Sequence, residues 1–125
     1  MENQYKILGE FTPDNLIAGQ EVPVLVNGVT LASGQGVVKR GAVVGIVTAS
    51  GLAQLVDKTK ADGTQNPFGI LTDDVDTENG TVTTTAYVSG LFNPLALTFG
   101  GTDSVSDHKA KLRELGIYLK ENKKY

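Results

Sequence analysis

Cysteine and tryptophan are both absent from the 125-residue chain. Without cysteine, the protein can form neither a disulfide nor a cysteine-ligated zinc site. A chain of this length is the size of one domain, and it can bury enough apolar surface to fold without such cross-links. Without tryptophan, the chain also lacks an aromatic platform on which a sugar ring could stack, which argues against a glycosidase.

Positive charge and long apolar runs are scarce as well. The chain has 11 Lys and Arg against 14 Asp and Glu, a net charge of −3. Binding to nucleic-acid phosphates requires clustered cations, whereas here they are dispersed until residues 109–125, which also contain Glu114 and Glu121. No apolar run approaches the roughly 20 residues that span a membrane, and the polar residues 1–6 do not begin a signal peptide. We therefore expect a soluble intracellular product, or part of a particle assembled inside a cell, with no nucleic-acid or membrane partner.

Histidine occurs once, as His108. Any Ser-His-Asp or Cys-His arrangement would have to use it, but it falls on the apolar stripe of a predicted helix, where a partly covered histidine is the simpler interpretation. The acidic run 73–80 does not follow the EF-hand pattern, because position six from Asp74 is Asn79 and position twelve is Thr85. We therefore predict no catalytic residue, no metal site and no cofactor, and do not expect an enzyme.

Glycine, by contrast, is abundant, with 15 residues spread along the chain. This pattern favours many short strands joined by tight turns. Residues 34–41 contain glycines and a lysine but not the Gly-Lys-Ser/Thr of a phosphate-binding loop, so we interpret them as a turn that leads into a strand. The predicted strands are residues 22–26, 29–31, 42–47, 52–56, 68–72, 81–89 and 117–119.

The strongest local signal is Asn27-Gly28, between two β-branched runs. Asn-Gly tolerates the positive φ angles of a type I′ turn, so the sequence predicts a β-hairpin here. Pro23 cannot donate a ladder hydrogen bond, which predicts that the first strand of this hairpin is an edge.

One helix is predicted near the end of the chain. Asp103, Ser104 and Ser106 are candidate N-caps, and Gly116 is a typical C-terminal stop. Between them lies a helical stripe formed by Val105, His108, Leu112 and Leu115. The sequence thus predicts a mostly β domain with one late helix.

Residues 1–19 are too irregular for a core element, yet they carry large apolar side chains. These are Tyr5, Ile7, Leu8, Phe11, Leu16 and Ile17. Such an arm either packs on its own domain or docks on a partner, and the residues alone leave both alternatives open.

Several short motifs, in their order and spacing, resemble the lambda-type phage head-decoration family. They are residues 15–19 (NLIAG), 39–45 (KRGAVVG), 62–64 (DGT), 69–71 (GIL) and 81–92 (TVTTTAYVSGLF), followed by a short helix that ends at 116–117 (GI). The resemblance covers most of the chain, from about Phe11 to Leu119.

The resemblance implies a compact β-clip or β-tulip domain over residues 20–125, preceded by a flexible N-terminal arm over residues 1–19. It implies a decoration protein that binds the major capsid protein of the same phage. On the outer surface of the expanded capsid the protein would form homotrimers, and it would be monomeric in solution beforehand, in the host cytoplasm. The arm would contact the capsid by strand pairing, with Tyr5, Ile7, Leu8, Phe11, Leu16 and Ile17 as the candidate capsid-binding residues.

Two other functions are compatible with a small β-rich domain. One is a virion accessory module that binds tail components or host surface glycans. The other is an enzyme on a β-clip scaffold, for which the acidic residues 73–78 would be the candidate metal site.

Overall fold

A computed structural model describes residues 16–19 and 22–120 of the chain. The strands are β1 (Ile17–Gly19), β2 (Leu25–Leu31), β3 (Val37–Val38), β4 (Val43–Ile46), β5 (Ala53–Leu55), β6 (Gly69–Leu71), β7 (Val75–Asp76), β8 (Val82–Phe92) and β9 (Ile117–Leu119). A 3₁₀ turn (Pro94–Ala96) and the helix α1 (Val105–Leu115) complete the described part. The predicted class, mostly β with one late α-helix, is confirmed.

The long strand β8 organises the sheet. Its first part pairs antiparallel with β2 on one side and with β6 on the other. Strands β5 and β4 connect β2 to β6, so the pairings β8-β2-β5-β4-β6-β8 form a closed ring. Past this ring, the last residues of β8 pair with β1 (antiparallel) and β9 (parallel). The short strands β3 and β7 form a separate two-stranded sheet.

Gly90 lies where β8 leaves the ring. The pairing of β8 with β2 ends at Ser89, and its pairing with β9 begins at Gly90. Gly90 has a φ of +142°, and a Cβ atom here would lie 2.8 Å from the Phe92 ring. Glycine therefore permits the backbone change between the two parts of the strand.

The predicted hairpin at Asn27-Gly28 is wrong. Residues 25–31 form one continuous strand whose pairing with β8 runs from Leu25 opposite Ser89 to Leu31 opposite Val82. Gly28 pairs with Thr85 and is not among the glycines with positive φ. The local turn preference is overridden because the threonine-rich strand β8 offers a partner along the whole length of β2. Pro23 precedes the strand, and β2 pairs with β5 only at Leu31, so the part of β2 nearest Pro23 has β8 as its one described neighbour.

The core consists of two clusters on opposite faces of the strands. The ring cluster contains Val29, Leu31, Val38, Ala42, Val44, Ala53, Leu71, Val75 and Ala86. The helix cluster contains Leu16, Val43, Val56, Ile70, Phe92, Leu97, Leu112 and Ile117. Val43 and Val44 are neighbours on β4 but belong to different clusters, because successive side chains of a strand point to opposite faces.

The helix α1 begins and ends as its sequence predicts. Its N-cap is Ser104, whose backbone amide donates to Asp107 Oδ2 at 2.8 Å, and Gly116 ends it with a φ of +96°. His108 and Leu112 are buried, while Leu115 at the end of the predicted stripe is 44% exposed. The helix therefore covers the helix cluster with its central turns.

Candidate functional site

The predicted capsid-binding residues fall in two groups. Tyr5, Ile7, Leu8 and Phe11 lie outside the described residues. Leu16 is 1% exposed in the helix cluster, and its carbonyl accepts a hydrogen bond from the Asn93 amide at 2.8 Å. Ile17 is half-buried in β1, opposite Phe92.

Leu16 and β1 therefore pack with the domain, although the sequence places residues 1–19 in the arm. The sequence left open whether the arm packs on its own domain or docks on a partner. The Leu16 side chain packs on its own domain. The binding role of the arm, and its division from a domain at residues 20–125, stay predictions.

An apolar groove borders β1 where the chain enters the fold. It has a volume of about 430 Å³ and is lined by Ile17, Val22, Pro23, Val24 and Tyr87. We call it the β1–β2 groove. Beside it the exposed fractions of Val24, Leu25 and Val26 are 38%, 59% and 55%. Residues 22–26 were predicted as a hairpin strand, and this exposed apolar surface was not predicted. The unbroken apolar run, which lacks the alternation of a half-buried strand, was a signal for it.

The rim of the β1–β2 groove is held by Arg40. Its Nη1 atom donates to Tyr87 Oη at 2.8 Å and to the Thr72 carbonyl at 2.9 Å, and its guanidinium carbon lies 5.6 Å from the centre of the Tyr87 ring. The Arg40 amide donates to Asp74 Oδ1 at 2.7 Å. Hydrogen bonds to β8 and to residues 72–74 thus fix Arg40, and through it Tyr87.

Three acidic residues of the 73–78 loop accept hydrogen bonds from neighbouring protein groups. Asp73 accepts from the Thr72 hydroxyl at 2.9 Å, and Asp76 accepts from the Glu78 amide at 3.0 Å. Asp74 is engaged by Arg40. Across residues 16–19 and 22–120, no group of three or more His, Cys, Asp or Glu side chains is placed to hold a metal ion.

His108 is more deeply buried than the predicted, partly covered residue. Its Nε2 atom lies 2.6 Å from Asp103 Oδ2, and the two side chains are 1% and 0% exposed. The Lys58 amide donates to the same carboxylate oxygen at 2.7 Å, and the Phe99 ring stacks on the imidazole at 5.5 Å. The pair therefore joins α1 to two loops and presents no ring nitrogen at the surface.

Three carboxylates in surface turns have lowered pKa values. Hydrogen bonds from the hydroxyl and amide of Thr59 lower the pKa of Asp57, and those from Thr64 lower the pKa of Asp62. The pKa of Asp107 is lowered first by the Ser104 amide and then by Lys58. These shifts come from turn and helix-cap hydrogen bonds, which stabilise local backbone structure.

Residues 34–41 were predicted as a turn that leads into a strand, and not as a phosphate-binding loop. One of them, Gln35, connects two strands. The side-chain amide of Gln35 donates to the carbonyls of Ala32 and Ala53 at 2.9 and 3.1 Å, and its oxygen accepts from the Leu55 amide at 3.2 Å. Gln35 thus fastens the end of β2 to β5.

Within the described part of the chain, no helix has the length and apolar character needed to cross a bilayer.

Comparison with known proteins identifies the family of this chain. The chain matches the family model for bacteriophage lambda head decoration protein D over residues 7–117. A search of curated proteins finds no match. The matched residues extend from the predicted arm through β1 to β8 and α1 to the first residue of β9. The chain therefore belongs to the bacteriophage lambda head decoration protein D family, the structural proteins that decorate phage capsids.

Proposed function

We propose that the protein binds the outer surface of the expanded capsid of its own phage as a trimer, and stabilises that capsid. The family match over residues 7–117 is the observation that carries this proposal. The described domain supports it, because its buried histidine and its acidic loop act within the fold. A run of exposed apolar side chains, Val24 to Val26, lies beside the β1–β2 groove where the arm joins the domain.

The arm supplies the capsid contact in this proposal. Leu16 is fixed in the core and the Asn93 amide holds its carbonyl, so the preceding residues start from a defined place beside β8. Tyr5, Ile7, Leu8 and Phe11 then anchor a strand that pairs with the major capsid protein. Strand addition obtains affinity from backbone hydrogen bonds and specificity from alternate side chains. Ile17 contributes through the β1–β2 groove, while Leu16 acts as the internal anchor.

Stabilisation needs no chemical step. A protein that binds only the assembled, expanded shell raises the stability of that shell by RT ln(1 + [L]/Kd) per site. Trimers bridge neighbouring capsid subunits, so a modest energy at each site is multiplied through multivalency. The free chain is a monomer in the host cytoplasm, and the trimer forms on the capsid.

Co-sedimentation with capsids tests the proposal. The full chain is mixed with expanded, undecorated shells of its own phage and, separately, with unexpanded procapsids. A variant in which Tyr5, Ile7, Leu8 and Phe11 are all replaced by Ser tests the arm. A matched variant with Lys6→Ala and Glu10→Ala changes the polar positions of the same segment.

The expected result is saturable binding to expanded shells only, lost in the Ser variant and kept in the matched variant. Absence of binding to either shell would contradict the proposal, and tail components or host glycans would then be tested as the partner. Equal binding of the Ser variant would leave decoration standing but refute the arm as the contact.

A further inference from the structure

The outer edge of β9 has no strand partner among the described residues, since β9 pairs only with β8. The Gly90 amide donates to the Gly116 carbonyl and the Lys120 amide donates to the Phe92 carbonyl, so residues 116, 118 and 120 turn backbone groups toward β8. In a parallel ladder the intervening residues direct theirs the other way. Ile117 is 0% exposed, so Leu119, which is partly exposed, is the residue whose amide and carbonyl are open to an added strand.

A groove of about 230 Å³ lies beside this edge. It is lined by Lys109, Arg113, Ile117, Tyr118 and Leu119, and we call it the β9 groove. Lys109 and Arg113 are four residues apart on α1 and so share a helix face. Neither side chain forms an ion pair with any residue that the structure describes. Tyr118, a residue of β9, is 38% exposed and adds an aromatic surface to the groove.

We propose that the β9 groove binds an extended acidic segment of the major capsid protein, which adds to the sheet as a strand beside β9. This inference rests on the proposed capsid-binding function and adds a second contact to it. The backbone groups of Leu119 would hold the segment, and Lys109 and Arg113 would pair with its carboxylates. Within residues 16–19 and 22–120 the two cations have no ion-pair partner, and the chain has a net charge of −3, so an acidic partner is complementary to them.

The position of the groove in the fold favours the capsid as the source of this segment. Strands β1 and β9 flank the same three residues of β8, from Gly90 to Phe92. The arm therefore leaves the domain from the sheet whose opposite edge is β9. In the proposed function the arm binds the capsid beside one edge of this small sheet, so we take the same capsid as the source of a strand for the other edge.

Charge reversal tests the electrostatic half of the proposal. The variant Lys109→Glu/Arg113→Glu is compared with Lys39→Glu/Lys60→Glu, which makes the same change in net charge at exposed residues elsewhere. Co-sedimentation with expanded shells should show binding weakened about tenfold in the first variant and near wild type in the second. Equal binding by both variants, with wild-type binding intact, would refute the β9 groove but not decoration.

A backbone variant tests strand addition. Leu119→Pro removes an amide that points away from β8, and proline is tolerated at such an edge position. Leu119→Ala loses the same packing but keeps the amide, so it serves as the matched control. We expect Leu119→Pro to bind shells at least several-fold more weakly than Leu119→Ala at equal thermal stability. Equal binding by the two would contradict strand addition.

Photo-crosslinking identifies the occupant. The Tyr118→p-benzoylphenylalanine variant is bound to expanded shells, irradiated, and analysed by mass spectrometry. The expected product joins residue 118 to an Asp- or Glu-rich stretch of the major capsid protein. Crosslinks only to other copies of this chain, crosslinks to packaged DNA, or no crosslink on saturated shells would each overturn the assignment. Failure of the wild-type chain to bind shells would instead refute the proposed function itself.

Discussion

At the scale of single residues, the pair formed by His108 and Asp103 shows how the fold uses its one histidine. Both side chains are buried, with 2.6 Å between Nε2 and Oδ2, and Lys58 donates its amide to the same carboxylate. Polar groups of this kind are costly to bury unless they have partners, so each member depends on the other. The pair thus ties α1 to its preceding loop and to the loop at Lys58.

We predict that Asp103→Ala destabilises the protein by about 3 kcal/mol, because it leaves the buried imidazole without its partner and removes the acceptor of the Lys58 amide. Urea unfolding with an unchanged m-value measures this loss. Glu114→Ala, at an exposed position of the same helix, is the control and should change stability by less than about 0.5 kcal/mol. A loss under about 1 kcal/mol for Asp103→Ala would contradict the structural role of the pair.

Replacing two glycines by alanine should have opposite effects on stability. Gly90 has positive φ and no room for a Cβ, whereas Gly28 lies in β2 with nothing within 4 Å of an added Cβ. Gly90→Ala should therefore cost about 1–3 kcal/mol, and Gly28→Ala should be neutral or slightly stabilising. Thermal unfolding of both variants checks this. A large loss for Gly28→Ala would mean that residues 27–28 form the turn that the continuous strand excludes.

At the scale of elements, sequence reasoning succeeded where the signal is local. The helix α1 was predicted because its cap residues and its stop at Gly116 lie within the helix and its immediate flanks. Strands β4 and β5 likewise lie within the predicted strands at residues 42–47 and 52–56. Strand β2 was split incorrectly because its continuity depends on β8, more than 50 residues later in the chain.

The candidate site was less accessible from the sequence. The apolar residues of the arm could be recognised by type, but only the fold shows that Leu16 faces the core while Ile17 borders a groove. The burial of His108 likewise requires the position of Asp103 and Phe99. Such contacts between side chains in space leave no periodic pattern in a single sequence.

Leu16, which immediately precedes β1, yields a prediction about the junction between the arm and the domain. Leu16→Ala should destabilise the domain by about 2–5 kcal/mol, because it opens a cavity in the helix cluster. Leu95→Ala, at a side chain that is 74% exposed, is the matched control and should have little effect. Chemical denaturation of both variants gives the comparison. Equal, small losses would show that Leu16 belongs functionally to the arm rather than to the domain.

At the scale of the whole molecule, the closed ring of strands carries two core clusters, one on each face of the strands. The surface turns add a dependence on pH. The carboxyls of Asp57, Asp62 and Asp107 have folded pKa values below their ordinary value of 3.8. Such groups contribute stability that is fully present above the unfolded pKa and is lost as the pH falls through the folded pKa.

We therefore predict that the free energy of unfolding falls as the pH decreases below about 4, with a slope that these three groups contribute to. Urea unfolding from pH 2 to pH 7 measures the dependence. The variant Asp57→Asn/Asp62→Asn should lose less stability over the acidic range than the wild type does. An identical acid dependence of the two proteins would contradict the assignment of the shifts to these turns.

The central claim, stabilisation of the capsid, is tested most directly by thermal melting of expanded, undecorated shells at increasing concentrations of the protein. Binding to the assembled shell alone predicts that the melting temperature of the shell rises with protein concentration and continues to rise beyond saturation of the sites. Procapsids should melt at the same temperature with and without the protein. A melting temperature of expanded shells that does not move at saturating protein would contradict the account.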